Sequence, residues 1–511
     1  MGRSGLLLGM LLAAAVGSAQ DRKTAALQKK LERALQEVNP RDAKAAVERL
    51  AELGGAEAAQ TLAEALSAAV YRIDNFRRSH YAYFDEYYEF LYNRREPTGT
   101  DRPTVLEQIH DKLKDLEKTH FRMREIRAGV RAALAGLPAA DTFPVLSTRL
   151  VEAKFWRERA EAAELLGDVQ ARDRDEALLR ALASDPEPTV RIPLLDALGK
   201  SKTPTALLID KVSAEVASEY WSIRFAAIEA LRRLGRPEGI DALVRALGET
   251  EGRTQYEVRQ ALRELTRGRA PQDDKQVPAW WKENRDKALK GELDAPPAEG
   301  DRGTRVADFF TLPLHSRRIA FVVDVSKSMV TSARWNPAIL LGSGSDRLKP
   351  ESSQKFAIAE FQLLRAFDSL PEGSRFALIL YAEVQRTFEL GPKTLDAGMR
   401  KRIAEYLRTV EIDGETDLFA ATDQALVYAN QRDGRIRKDG LDTVYLLSDG
   451  EPTMGLLRNM DPILEEVTER NRYSKVALHT IFVGRPDAAE SIAFMRALAQ
   501  RNYGVFALAT R

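Results

Sequence analysis

The chain has no cysteine. That excludes disulfides, thiolate metal sites, a cysteine nucleophile and a lipidated bacterial N-terminus, so an exported form would rely on packing and bound metal for stability. An excess of charge of one sign is also missing. Lys and Arg number 77 against 76 Asp and Glu, a formal net charge of +1. No global field draws the chain to nucleic acid or to an anionic membrane. Histidine is scarce: His80, His110, His120, His315 and His479 are scattered, and no His-Glu-x-x-His occurs. Long apolar runs are absent except at the start, where Leu6 to Val16 follows Arg3 and precedes Gly17-Ser18-Ala19. That order is an export signal cut after Ala19. The run is shorter than the ~20 residues that span a bilayer. The sequence therefore predicts a signal at 1–19 and an exported chain (periplasmic, cell-envelope or extracellular) with no membrane span after cleavage.

What is present is apolar material for cores, at 44%, with 30% charged residues over 511 positions. Such a length suggests two to four domains. Residues 20–290 are helical in period and they repeat. Arg127, Arg159, Arg191, Arg224 and Arg259 recur at spacings of 32, 32, 33 and 35, each followed by apolar residues in register. Second helices are predicted at Glu176 to Leu182, Thr205 to Val212 and Gly239 to Leu247, with Pro and Gly at the joints. A period of this size with two short helices per unit means an α-solenoid. The pattern resembles HEAT repeats over roughly 121–270, with a further unit at Lys44 to Leu66. The arginines are expected to bridge neighbouring repeats. An insertion at about 68–120 carries Tyr71, Phe76, Tyr81, Tyr83, Phe84, Tyr87, Tyr88, Phe90 and Tyr92 among arginines. It reads as a long helical hairpin with its loop at Pro97 to Pro103. Trp280-Trp281 is expected to cover the end of the solenoid, and 291–304 is Pro/Gly-rich and charged, a linker.

From about 305 the pattern changes to strands alternating with helices. Ile319 to Val325, Phe376 to Ala382, Thr443 to Ser448, Val476 to Val483 and Tyr503 to Ala509 read as strands, with an antiparallel edge at Arg386 to Leu390. Helices are expected at Gln354 to Leu370, about 395–410, about 417–431 and Ala488 to Arg501. That alternation predicts a doubly wound, mostly parallel α/β sheet. In such sheets ligand sites lie beyond the carboxyl ends of the strands. Asp324-x-Ser326-x-Ser328, Thr416 and Asp449 all fall there, in loops that can converge. Five oxygen side chains, two of them charged, suit a hard divalent cation.

Over 305–511 the chain resembles the von Willebrand factor A domain, and these residues resemble its metal-ion-dependent adhesion site. The resemblance implies that Ser326, Ser328 and Thr416 supply hydroxyl ligands. It implies that Asp324 and Asp449 bind directly or through water, and that a partner's Asp or Glu completes the shell. Mg²⁺ is the expected ion, with Mn²⁺ and Ca²⁺ as alternatives. The two carboxylates are expected to lie outside the deep core. Three departures stand out. Lys327 replaces the family's usual Gly. The stretch Val330 to Ser353 is long, with Trp335 and Gly342 to Asp346. No helix of the integrin type follows the last strand.

Catalytic patterns are weak. Gly199-Lys200-Ser201 lacks the upstream Gly of a phosphate loop and falls in a repeat joint. Ser352-x-x-Lys355 has no partner motif. The sequence thus predicts no enzyme. It predicts an adhesion or scaffold protein that engages an acidic side chain of a protein partner through metal, with a second protein on the solenoid surface. The alternative is a regulatory co-subunit of an ATPase- or chelatase-like assembly. Residues 22–290 and 305–511 are expected to fold independently.

Overall fold

In the computed structural model, which describes residues 4–92, 102–293, 307–336, 339, 350 and 352–511, the 3.6-residue period of the first 290 residues becomes a succession of helices. The chain divides into two compact units, Met1–Thr203 and Pro204–Arg511.

The first unit runs through helices Ser4–Glu37, Pro40–Leu53, Gly55–Tyr92, Arg102–Gly136, Ala139–Glu152, Trp156–Leu166, Arg174–Ser184 and Arg191–Leu198. Helix Pro40–Leu53 shows the local logic. Asn39 caps it by accepting from Asp42 N, Pro40 opens it, and Ala43, Ala46, Val47 and Leu50 make the buried stripe. Two of the repeat arginines form ion pairs beyond their own helix. Arg127 pairs with Glu161 of the next unit at 3.5 Å, and Arg159 forks onto Asp185 at 2.7 and 2.9 Å. The expected insertion is a pair of long helices, Gly55–Tyr92 and Arg102–Gly136, continuous with the repeat helices at 55–66 and 121–136. The loop residues 93–101 and the side chains of Tyr83, Phe84, Tyr87, Tyr88, Phe90 and Tyr92 lie outside the described residues. Tyr71 packs edge-on against Phe155, centroids 6.2 Å apart. Among the described residues, no helix is long and apolar enough to cross a membrane.

The second unit opens with helices Ala206–Glu215, Trp221–Leu234, Ile240–Glu249, Gly252–Leu265 and Val277–Lys290. Trp281 is buried and its indole N–H donates to Asp241 Oδ1 at 2.7 Å, so it covers helix Ile240–Glu249 as expected. A hairpin, β1 (Asp308–Phe309) and β2 (Leu312–Pro313), precedes the sheet strands. These are β3 (Arg318–Asp324), β4 (Arg375–Tyr381), β5 (Gln385–Thr387), β6 (Lys393–Thr394), β7 (Thr443–Ser448), β8 (Ala477–Phe482) and β9 (Phe506–Leu508). The order is β5-β4-β3-β7-β8-β9, with β6 also on β4. The pairs β3–β4, β3–β7, β7–β8 and β8–β9 are parallel, while β5 and β6 are antiparallel to β4. Helices Lys355–Ser369, Ala397–Leu407, Leu418–Ala429, Met460–Asn471 and Ala489–Arg501 accompany the sheet. β3 is apolar and buried from Ile319 to Val323 because both of its faces are covered. One face carries an aromatic layer, in which Phe321 stacks on Tyr445 at 5.8 Å and meets Phe367 edge-on at 5.1 Å.

The unit boundary differs from the expected linker at 291–304. Helices Trp221–Leu234 and Gly252–Leu265 dock on the amino-terminal edge of the sheet, so the last repeats and the α/β sheet share one unit. Arg253, buried near the start of its helix, donates to Asp442 O at 2.6 Å and Lys475 O at 2.9 Å, the residues just before β7 and β8. Ser222 Oγ donates to Ser474 O at 2.9 Å. Tyr256 stacks on His315 at 3.8 Å, and Phe225 meets Tyr503 edge-on at 5.6 Å. Gly252 takes φ +64°, and a Cβ there would stand 3.1 Å from Arg317 N. Linker composition marks where the chain is loose. It does not mark what the flanking helices touch.

Candidate metal centre

β3 ends at Asp324 and β7 ends at Ser448, with Asp449 next. Their parallel register sets Val323 opposite Leu447, so both carboxylates emerge side by side. The chain passes from β3 to β4 on one side, while β7 lies on the other. This is the switch point of the sheet, where a crevice opens beyond the strand ends.

Asp324 is fully buried. Its Oδ1 accepts from Ser326 N at 2.8 Å and its Oδ2 from Ser448 Oγ at 3.0 Å. Ser326 Oγ lies 3.1 Å from Ser328 Oγ, which donates to Asp449 Oδ1 at 2.7 Å. Four of the five expected ligands therefore form one hydrogen-bonded chain. Thr416 stands in the adjoining loop. Gly414 takes φ +90° there and its carbonyl accepts from Lys327 N at 3.0 Å, while Asp413 N donates to Val325 O at 3.1 Å. Thr416 N donates to Thr453 Oγ1 at 3.0 Å, which ties it to the loop after Asp449. Among the described residues, no hydrogen bond joins the Thr416 hydroxyl to the other four. Asp417 is buried and caps helix Leu418–Ala429 by accepting from Ala420 N at 3.1 Å.

One expectation is corrected. The carboxylates are deep: Asp324 is 0% exposed and Asp449 8%. Trp335, in the long stretch after the Asp-x-Ser-x-Ser loop, is buried as well, with its indole N–H on Ser353 O at 3.1 Å. Residues 340–349, including Gly342 to Asp346, lie outside the described residues. Lys327 is exposed, so the departure from Gly leaves the loop intact.

Sequence reasoning missed Lys355, which it met only in a Ser-x-x-Lys pattern. Its Nζ donates to Asp449 Oδ2 at 2.6 Å. Burial, then the nearby Asp449 charge, pushes the Asp324 carboxyl up to about 7. Tyr381, whose hydroxyl donates to Leu447 O at 3.2 Å, is raised as well, by burial and then by Asp324.

The donor set fits a hard divalent ion. Carboxylate and hydroxyl oxygens converge, no imidazole or sulfur ligand is among them, and the Lys355 ammonium already stands in for part of a cation's charge. Asp324, Ser326, Ser328, Thr416 and Asp449 would hold the ion. When bound, it would supply an electrophilic centre with a position for a carboxylate. Among the described residues no cluster of three or more His, Cys, Asp and Glu forms a separate metal site.

Two family models agree with this architecture. A family model for HEAT repeats matches residues 177–266, and one for the von Willebrand factor type A domain matches residues 319–451. The chain therefore carries HEAT repeats followed by a von Willebrand factor type A domain. Both are modules that generally mediate protein–protein interaction, and A domains commonly bind a divalent metal. Among solved structures, a von Willebrand factor type A protein from Catenulispora acidiphila is 17% identical, covering 38% of each chain with a TM-score of 0.26. Proximal thread matrix protein 1 from the mussel byssus is 16% identical, covering 38% of this chain and 41% of its own, with a TM-score of 0.25. Human deoxyhypusine hydroxylase in complex with glycerol is 15% identical, covering 49% of this chain and 98% of its own, with a TM-score of 0.24. The chain thus spans about two-fifths of the first two structures' lengths. Curated protein sequences gave no match.

Proposed function

We propose that this chain is an exported, non-enzymatic adhesion or scaffold protein. Its A domain engages an acidic side chain of a protein partner through a divalent metal, Mg²⁺ first, held by Asp324, Ser326, Ser328, Thr416 and Asp449. Its repeats offer a second protein-binding surface. The observation that carries this reading is the chain of hydrogen bonds from Ser326 through Ser328 to Asp449 beside buried Asp324, at the switch point of the sheet. Two buried carboxylates so close repel each other unless a cation joins them. Export rests on the order Arg3, Leu6 to Val16, Gly17-Ser18-Ala19.

The test is calorimetric titration of the full chain with Mg²⁺ and Mn²⁺, beside capture of an envelope partner in Mg²⁺ and in EDTA. Saturable metal binding lost in Asp449→Ala, with capture lost in EDTA and in the variant, is the expected result. Equal capture with and without metal would sink the reading.

A further inference from the structure

The metal site carries its own cation. Lys355 is the first residue of helix Lys355–Ser369. An ammonium there meets the positive end of the helix dipole, and burying it costs free energy unless it is paired. Both costs fall at the one position from which Nζ reaches Asp449 Oδ2 at 2.6 Å and Ser328 O at 3.5 Å. The lysine is also fixed from behind. Its backbone N–H donates to Thr331 O at 3.0 Å, and Gln354 bridges Ser332 in an antiparallel pair. The segment that follows the Asp-x-Ser-x-Ser loop thus holds the lysine against the far carboxylate.

Each Asp449 oxygen is engaged. Oδ1 takes the Ser328 hydroxyl and Oδ2 takes the Lys355 ammonium. A divalent ion that binds Asp449 must share that carboxylate with the ammonium or displace it. With Asp324 and Asp449 ionised and Lys355 in place, a dication would leave the cluster with one excess positive charge. With Lys355 withdrawn, the cluster would be neutral.

We propose that Lys355 is a tethered competitor for the metal position, so that the site alternates between an ammonium-closed and a metal-bound state. The proposal rests on the metal-site reading above. It makes Lys355 a positioning residue that sets metal affinity without touching the partner. The closed state neutralises Asp449 when metal is scarce, and metal binding swings the ammonium away from Asp449. Lys327, exposed in the same loop, lacks such a contact and has little leverage, because water screens it.

The experiment titrates the full-length protein calorimetrically with Mg²⁺ and with Mn²⁺ in wild type, Lys355→Met, Lys327→Ala and Asp449→Ala. Lys355→Met keeps the apolar stem and removes the charge. It is expected to bind Mg²⁺ about tenfold more tightly than wild type or better, since an adjacent positive charge is gone. Lys327→Ala is expected to move affinity far less, and Asp449→Ala to bind nothing. Equal affinities in wild type and Lys355→Met overturn the proposal while the metal site stands. Absence of saturable binding in every form, Lys355→Met included, overturns the metal reading and this proposal with it. A second readout needs no charge-removing variant: amine acylation followed by peptide mass spectrometry. Lys355 in wild type is expected to be protected in EDTA and to become reactive in saturating Mg²⁺, and in Asp449→Ala to be reactive from the start. A Lys355 that stays protected in metal-saturated wild type overturns the displacement.

Discussion

The A-domain sheet buries an aspartate at each end, and the two are treated differently. Asp442 precedes β7 at the amino-terminal edge, and Asp324 ends β3 at the carboxyl-terminal edge. Burial is the main cause raising both carboxyls. Around Asp442 every partner is part of the chain. Ser316 and Thr443 donate to its Oδ1, and Arg253 and Arg318 lie close enough to pull its pKa back down. Arg253 also lies over the Phe225 and Trp221 rings, at 4.6 and 5.6 Å. Asp324 also has two donors, Ser326 N and Ser448 Oγ, but the adjoining Ser328 and Lys327 are exposed. Nearby charge there adds to burial instead of opposing it, since Asp449 raises Asp324 further. One end is a sealed joint. The other is short of positive charge, which is what the proposed exchange of ammonium for metal requires.

The sharpest break of this comparison is Arg253→Met. It takes the Arg253 donor from the Lys475 carbonyl and from the Asp442 carbonyl, which keeps only Ala477 N, and it removes the charge over two rings. A loss of about 3 kcal/mol is expected, read from the denaturation transition of the sheet. Mg²⁺ affinity should stay at the wild-type value, because the change lies at the opposite edge. A stable Arg253→Met variant would show that the joint is held elsewhere, and an altered affinity would show that the two ends are coupled.

The ends should also respond to pH in opposite directions. His479, on β8 at the joint, is pushed down to about 3 by burial and then by Arg253 and His315. Its Nδ1 accepts from Val505 N at 3.0 Å, and its ring stacks on Tyr445. An unfolded histidine, near 6.5, takes up a proton as pH falls while the folded one does not, so stability drains away from about pH 6.5 downward. Asp324 runs the other way. Its folded pKa of about 7 lies above the ordinary 3.8. Without metal, its contribution is present in acid and is lost as pH rises from about 4 to 7. In EDTA, His479→Gln should flatten the acid limb of the stability profile and Asp324→Asn the neutral limb, each by on the order of 1 kcal/mol. Parallel shifts of the whole curve in both variants would mean that neither group titrates as described.

The sequence showed the frame of the A domain because continuous apolar runs and helical periods are local. β3 and β7 fall within a residue of their expected bounds, and the edge strand at Arg386 appears as β5. The two-residue strands β1, β2 and β6 escaped because so few residues carry no period. Helix Met460–Asn471 was also passed over. Its apolar positions Ile463, Leu464 and Val467 are helical in spacing, but Pro462 reads as a breaker, and the structure places it in the first turn where proline is tolerated. Asp324 and Asp449 could be placed from the sequence because a strand end fixes where a side chain emerges, and the structure joins them to Ser326 and Ser328 by hydrogen bonds. Lys355 could not, since its partner is 94 residues away. The joint was hidden for a different reason: Arg253 and Ser222 bind main-chain carbonyls, which leave no trace in side-chain patterns.

The smallest expected effect sharpens the comparison from the rim. Arg317 pairs with Glu251 beside the joint, with side chains 42% and 67% exposed. Water screens such a pair, and holding two long side chains together costs entropy, so Glu251→Ala should shift stability by less than about 0.5 kcal/mol. The stack of Tyr256 on His315, 3.8 Å apart on the same surface, should survive it. Measured in the same denaturation series, Glu251→Ala and Arg253→Met differ by two positions in sequence and by burial in structure. A large gap between them assigns the joint to buried carbonyl contacts, whereas equal losses would assign it to surface charge and make both ends of the sheet exchangeable.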